Sequence, residues 1–179
     1  IVRVPASEIV HIIDPVDAKK AWSFKTPQTD VMMAGAILEH ASANGIKSIG
    51  YVGFNDALGE AFFAEVDKAA AARKIPLLAS ERFAPKDTSV TGQALKLVAA
   101  NPDAIVIGAS GTPAALPASA LVERGYKGRI YFNHGVANND FLRVGGKNVE
   151  GAVLPVGPVL IPNQLPDSHP SKKAALEYI

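Results

Sequence analysis

Residues Gly45 to Ala72 read G-I-K-S-I-G-Y-V-G-F-N-D-A-L-G-E-A-F-F-A-E-V-D-K-A-A-A-A. The first half is an apolar run among small residues, and the second half changes to helix-forming residues with apolar positions spaced along one helix face. This order predicts a buried β-strand that leads directly into an amphipathic α-helix. Asn55 and Asp56 are expected to cap that helix with their side-chain oxygens, and Gly59 is expected to allow close approach to its N-terminus. Ligands bind at this edge of an open α/β sheet.

Units of the same kind continue along the chain. Apolar runs at 75–80 and 104–107, followed by segments at 129–132 and 149–156, predict four further strands. Helical patterns lie between them, the last one short, at about 139–144. A helix is also predicted before the opening stretch, from about residue 26 to 44, after a brief strand at 22–25. The order βαβαβαβ(α)β predicts an α/β fold with a doubly wound, mainly parallel sheet.

Composition narrows the classes of function. The length of 179 residues suits one well-buried domain. A formal net charge of +1 provides no basic field for a phosphate backbone, so nucleic-acid binding is not expected. The absence of cysteine excludes disulfides, thiolate metal sites and a cysteine nucleophile. No apolar run approaches the ~20 residues that span a bilayer, so this chain is expected not to be membrane-spanning.

Three loops that follow strands form the candidate ligand site, at residues 54–59, 108–113 and 133–138, because such loops share one edge of a parallel sheet. In the second loop, Thr112 is predicted to be a helix N-cap with Pro113 at the first helical position, and the small residues are predicted to leave backbone N–H groups open to a carboxylate or amide oxygen. For any single loop, tight turns are the simpler interpretation of its glycines; the convergence of three loops favours a ligand site. The candidate ligand-binding residues are Phe54, Asn55, Asp56, Leu58, Ser110, Gly111, Thr112 and His134.

Motifs of enzymes are missing from the sequence. G-A-S-G-T at 108–112 resembles a nucleophile elbow, but its second glycine comes one position early, and no dinucleotide fingerprint or P-loop occurs. The histidines, His11, His40, His134 and His169, lack metal-ligand spacing. His40, beside Glu39, is interpreted as a solvated surface residue. We therefore predict no catalytic residue, no metal and no cofactor.

Five segments in consistent order together resemble the periplasmic leucine/isoleucine/valine-type solute-binding proteins of ABC transporters, which have the type I periplasmic binding fold. They are residues 45–59, 87–89, 101–106, 121–128, and 141–142 with 149–151. The resemblance implies two α/β lobes joined by three crossing strands, which close around a ligand. It also implies a small-molecule ligand, a membrane permease as partner, and a periplasmic location, with any signal peptide removed.

The same resemblance predicts how this chain is divided. Residues 1–22 are expected to be a remnant of the first lobe and a crossover, residues 23–157 the ligand-binding second lobe, and residues 158–179 a proline-rich connector that returns toward the other lobe. Because the sequence begins within a strand-like run, we expect it to be a fragment of a longer protein.

Departures from the family pattern bear on the ligand. Leu58, and Ser110 or Gly111, fall where amino-acid binders of the family have aromatic residues, and His134 falls where they have the acidic residue that holds the ligand's ammonium group. An ammonium group without that partner would be costly to bury. The resemblance therefore favours a small aliphatic or aromatic carboxylate over a branched-chain amino acid, contacted by His134 and by N–H groups near residues 110–112.

Two alternatives to a transport protein stay open. A sensor or regulatory domain of the same fold would share all of these features, because fold alone does not determine function. An upstream signal sequence would favour transport, and a fused signalling segment would favour sensing. A flavodoxin-like enzyme or response regulator would need an acidic pocket or a phosphate loop, which the sequence lacks.

Overall fold

Helices and strands alternate along residues 28–179, the part of the chain that the computed structural model describes. The strands are β1 Ile49–Phe54, β2 Leu77–Phe83, β3 Ala104–Gly108 and β4 Arg129–Phe132. The α-helices are α1 Asp30–Ala43, α2 Ala57–Ala72, α3 Thr91–Ala100, α4 Ala115–Glu123, α5 Asn139–Gly145 and α6 Lys172–Tyr178. Our predictions for residues 1–22, for a strand at 22–25 and for the beginning of the first helix at 26 lie outside the described residues.

The four strands form one parallel sheet in the order β2-β1-β3-β4. Gly53 of β1 lies beside Gly108 of β3, and Ile107 of β3 lies beside Phe132 of β4. The carboxyl ends of β1, β3 and β4 therefore lie side by side, which brings the loops that follow them to one edge. This arrangement confirms the predicted α/β fold with a parallel sheet.

Both faces of the sheet are covered, as the term doubly wound requires. Tyr51 and Val106 point toward α1 and α2 in one buried cluster, whereas Val52 and Ile107 point toward α3, α4 and α5 in the other. Because successive strand residues face opposite sides, strands covered on both sides are apolar at nearly every position. β1 and β3 are buried throughout.

The second strand begins two residues later and ends three residues later than the predicted range of 75–80. Lys74 adopts a left-handed conformation (φ 56°) and the N–H of Ile75 donates to Ala70 O at 3.0 Å, so these residues complete the C-terminus of α2. Apolar Ile75 is buried beneath that helix end. Pairing with β1 then extends to Phe83, opposite Phe54.

The predicted fifth strand at 149–156 is wrong in extent. Among the described residues, this segment forms a single parallel bridge between Tyr131 and Val153, in which the N–H of Val153 donates to Ile130 O at 3.0 Å. Pro155 has no N–H with which to continue the ladder, and Gly151 turns the chain with a φ of 75°. Short 3-10 turns at Pro158–Leu160 and Pro162–Gln164 follow, before α6.

Candidate functional site

The first candidate loop is held in place by a helix cap. Asp56 is extended, and its Oδ1 accepts a hydrogen bond from the N–H of Gly59 at 3.0 Å. The cap of α2 predicted at Asn55 and Asp56 is therefore made by Asp56. Both side chains are exposed at the edge of the sheet, so they remain accessible from that side.

Gly59 allows a close approach to the N-terminus of α2, as expected. A β-carbon at this position would lie 2.7 Å from Phe54 C and 2.8 Å from Phe54 N, and nearer still to Phe54 O. The close approach that the glycine permits is therefore that of the chain itself, because β1 ends directly against the first turn of α2. The predicted close approach at Gly59 is thus present, and the group that makes it is the backbone of Phe54.

The apolar members of the first loop belong largely to the core. Phe54 is buried, and its ring centroid lies 5.1 Å from that of Phe83. Leu58 is half-buried and packs against the same cluster. Of the four residues predicted here, Asn55 and Asp56 thus offer the greater accessible surface.

The second and third loops interlock. The N–H of Gly111 donates to Gly135 O at 3.0 Å, and a β-carbon on Gly135 would lie 2.6 Å from Ser110 Cβ. Because of this contact, Ser110 and His134, the residue before Gly135, are neighbours in space although 24 positions separate them in the sequence. The Gly111 N–H is engaged within the protein, so it is not one of the groups predicted to be open to a ligand.

Thr112 does not cap a helix. Gly111, with a φ of 64°, is the capping residue of a 3-10 turn at Thr112–Ala114, which leads into α4. The positive φ favours glycine, and this shifts the start of the turn one residue from the prediction. Pro113 lies within the turn, consistent with its fixed φ.

The third loop is a 3-10 turn at His134–Val136. Its cap is Asn133, a buried polar residue whose Oδ1 accepts a hydrogen bond from the N–H of Gly135 at 2.8 Å. His134 is half-buried, as are Ser110, Gly111 and Thr112. Asn133 was not among the predicted site residues, although its place directly before a turn is typical of a capping residue.

A cluster beside the first loop was also missed. Arg82 forms a two-pronged ion pair with Glu60, with Nε–Oε1 2.5 Å and Nη2–Oε2 3.0 Å. Its guanidinium carbon lies 4.2 Å from the ring centroid of Phe63 and 5.0 Å from that of Tyr51. The hydrogen bond from Arg82 lowers the pKa of the Glu60 carboxyl. Twenty-two positions separate the two charges, so no local spacing pattern reveals the pair.

His40 is not a solvated surface residue. It is half-buried, its Nδ1 lies 3.0 Å from Tyr131 Oη, and the two rings meet edge to face with centroids 5.7 Å apart. The contact joins α1 to β4 across 91 positions. We therefore assign it to the packing of the fold.

At the edge that carries the three loops, Asn55 and Asp56 are exposed, and Ser110 and His134 are half-buried. A depression of about 590 Å³ lies at the opposite, amino-terminal edge of the strands, where Asn101, Tyr126 and Arg129 contribute to its lining. Within residues 28–179, no three histidine, aspartate or glutamate side chains are grouped to hold a metal ion. No helix in the same range is long and apolar enough to cross a membrane.

Comparison with known families identifies this architecture. Residues 6–171 match the model of a family described as periplasmic binding protein. The chain belongs to the periplasmic binding protein family. The match covers most of the chain, and the parallel α/β sheet is that of one lobe of the type I fold, as the resemblance implied.

Solved structures of related binding proteins agree. An extracellular ligand-binding receptor from Rhodopseudomonas palustris HaA2 is 49% identical over 91% of this chain and 46% of its own, with a TM-score of 0.85. A second receptor from that strain is 40% identical over 94% of this chain and 47% of its own, with a TM-score of 0.87. The chain thus spans a little under half of each.

A more distant structure shares the fold alone. It is a leucine binding protein from Thermotoga maritima, 20% identical over 85% of this chain and 43% of its own, with a TM-score of 0.72. A comparison with curated proteins found no significant match.

Proposed function

We propose that this periplasmic binding protein chain is the second lobe of the extracytoplasmic solute-binding component of an ABC transporter. In this proposal, a small molecule is held between the loop-bearing edge and another lobe, and is then delivered to a membrane permease. The observation that carries the proposal is the interlocking of the second and third loops through Gly111 and Gly135. It brings half-buried Ser110 and His134 together at the edge where Asn55 and Asp56 are exposed, as residues of one wall of a cleft would be.

The residues on this wall favour an anionic ligand. Ser110, Thr112 and His134 are half-buried and uncharged or basic. The acidic residue of the first loop, Asp56, uses one carboxylate oxygen to cap α2. Hydroxyl and imidazole groups can donate hydrogen bonds to a carboxylate, whereas an ammonium group buried here would need an acidic partner. We therefore propose a small aliphatic or aromatic carboxylate in preference to a branched-chain amino acid.

Ligand class is tested by a thermal-shift screen of the full-length protein against amino acids, aliphatic acids and aromatic acids. A solute that binds the native state at 100 times its Kd adds about 2.7 kcal/mol to the free energy of unfolding. We expect the largest increase in melting temperature with a carboxylic acid that lacks an amino group. A largest increase with leucine would contradict the proposed ligand class, and no increase with any solute would contradict the binding function.

The role of His134 is tested with His134→Ala, and His169→Ala serves as a matched control. Both histidines are half-buried, but His169 lies in the C-terminal segment outside the candidate loops. Losing a hydrogen bond to a charged ligand is expected to weaken the affinity for the best acid of the screen by about tenfold to a hundredfold. The control should bind as the unaltered protein does. Equal affinities for both variants would show that His134 does not contact the ligand.

Transport and sensing are separated by reconstitution. In proteoliposomes that contain the permease encoded with this protein, uptake of the acid should depend on the added binding protein. Unchanged uptake in its absence would favour the sensor alternative, whose fold is the same. The proposed extracytoplasmic location is checked by cell fractionation, in which the protein should leave the cell with the periplasmic fraction.

A further inference from the structure

Tyr51 is buried at the centre of β1, on the face that packs against α2, and its side chain reaches the candidate ligand edge. Its hydroxyl donates a hydrogen bond to Gly59 O at 2.8 Å, and the residue is fully shielded from solvent. Gly59 lies in the first turn of α2, just after the exposed residues Asn55 and Asp56. The phenol therefore ties the end of the first candidate loop to the sheet.

The hydroxyl-bearing end of the Tyr51 ring lies against the carboxyl ends of β1 and β3. A β-carbon on Gly53 of β1 would be 2.7 Å from Tyr51 Cζ, and one on Gly108 of β3 would be 2.5 Å from it. The two glycines are register partners, and the absence of side chains on both makes room for the phenol. Gly53 precedes the first candidate loop, and Gly108 begins the second.

The ring is held from its outer side as well. The Arg82 guanidinium lies over it at 5.0 Å, the Phe63 ring is 5.0 Å away, and the ion pair with Glu60 holds Arg82 in place. Cation–π and aromatic contacts of this kind restrict the position of a ring. Burial raises the pKa of the Tyr51 phenol, so the hydroxyl keeps its proton and remains a donor.

We propose that Tyr51 is a positioning residue for ligand binding, whose hydroxyl sets the spacing between the first and second candidate loops. The inference rests on the proposed binding function, because it assigns these loops to one wall of the cleft. Tyr51 itself does not contact the ligand; it acts through Gly59 and through the packed ends of β1 and β3. Without the hydroxyl, Gly59 O loses this hydrogen bond, and one of the contacts that hold the first turn of α2 near β3 is removed.

The protein contains a matched control in Tyr126, at the opposite edge of the sheet. Its hydroxyl donates to Pro102 O at 3.0 Å, it is also buried, and a β-carbon on Gly128 would lie 2.5 Å from its Cζ. Tyr51→Phe and Tyr126→Phe therefore each remove one buried phenol-to-carbonyl hydrogen bond beside a glycine. Only the first removes it at the candidate ligand edge.

The test measures both variants in the full-length protein by hydrogen exchange and by the affinity for benzoate and leucine. In Tyr51→Phe, we expect faster exchange of amides in residues 54–60 and 108–112, and binding of the preferred probe weakened about fivefold or more. In Tyr126→Phe, faster exchange should be confined to residues 101–103 and 125–128, with affinity within about twofold of the unaltered protein.

The outcomes separate this inference from the proposed function. If the unaltered protein binds a probe and Tyr51→Phe binds it equally well, the positioning role is overturned while the binding function stands. If exchange at residues 54–60 and 108–112 is unchanged in Tyr51→Phe, the positioning role is overturned whatever the probes do. If no probe or other solute of the thermal-shift screen binds, the proposed function fails, and the exchange measurement alone decides whether Tyr51 holds the two loops together.

Discussion

Replacing Gly108 with alanine is expected to destabilise the protein through a single close contact. Gly108 ends β3, and its φ is not in the left-handed region that favours glycine. The backbone therefore accepts an alanine. The obstacle is the Tyr51 ring, because a β-carbon here would lie 2.5 Å from its Cζ, 2.9 Å from its Cε2 and still nearer to its hydroxyl.

The expected cost follows from these distances. Carbon atoms in contact normally lie about 3.5–4.0 Å apart, so the ring must move by about 1 Å. It has little room, because Phe62, Phe63 and Arg82 pack around it. Overpacking of a core costs about 1–3 kcal/mol, and displacement of the hydroxyl from Gly59 O removes a hydrogen bond worth about 1 kcal/mol. We therefore expect Gly108→Ala to lower the free energy of unfolding by about 2–4 kcal/mol.

Urea denaturation measures this loss, and Gly92→Ala is the control. Gly92 is exposed in α3, and a β-carbon there would meet nothing within 4 Å, so alanine should stabilise the helix by about 0.5–1 kcal/mol. Adding Tyr51→Phe to Gly108→Ala should cost less than the sum of the two single changes, because it removes the nearest clashing atom. A Gly108→Ala protein within about 0.5 kcal/mol of the unaltered one would refute the reasoning.

Two further predictions concern other single residues. The hydrogen bond from Arg82 lowers the pKa of Glu60 in the folded protein. The stability that Glu60 contributes is therefore fully present above its unfolded-state pKa of about 4.3, and it is lost as the pH falls through its folded-state pKa. Between about pH 5 and 3, the melting temperature of Glu60→Gln should therefore fall less steeply with decreasing pH than that of the unaltered protein. Identical slopes of melting temperature against pH would contradict the prediction. Lys74 is exposed with a φ of 56°, so Lys74→Gly should stabilise the protein by about 0.5–1 kcal/mol in urea titration. The same change at exposed Lys86, whose φ is not positive, should not stabilise, and a similar gain at both positions would exclude the conformational explanation.

The order of the elements could be predicted from the sequence because it depends on local patterns. β1 and β3 are continuous apolar runs buried on both faces, and such runs between helical patterns are typical of a parallel sheet. The segment 149–156 shows where that reasoning stops. It is largely apolar apart from Glu150. A strand also needs backbone donors at the right positions, and Pro155 and the turn at Gly151 limit the segment to one bridge.

The candidate site could be predicted in part for the same reason. The cap by Asp56 spans three positions and follows from local chemistry. In contrast, the contact of His40 with Tyr131 and the pairing of Arg82 with Glu60 connect distant parts of the chain. Spacing patterns within one helix or strand do not predict such long-range contacts. For this reason, the prediction of His40 as a solvated surface residue was wrong, and the ion pair of Arg82 was not predicted.

Glycines at the ligand edge illustrate a more general ambiguity. In the sequence, a glycine after a strand signals a close approach, but not what approaches. At Gly59, Gly108 and Gly135 the approaching group belongs to the protein, namely Phe54, Tyr51 and Ser110. Such contacts rigidify the loops, and a rigid wall reduces the entropy that is lost when a ligand binds. Under the proposed function, changes of ligand should therefore arise at side chains such as Ser110, Thr112 and His134, while the glycines that hold the wall together stay fixed.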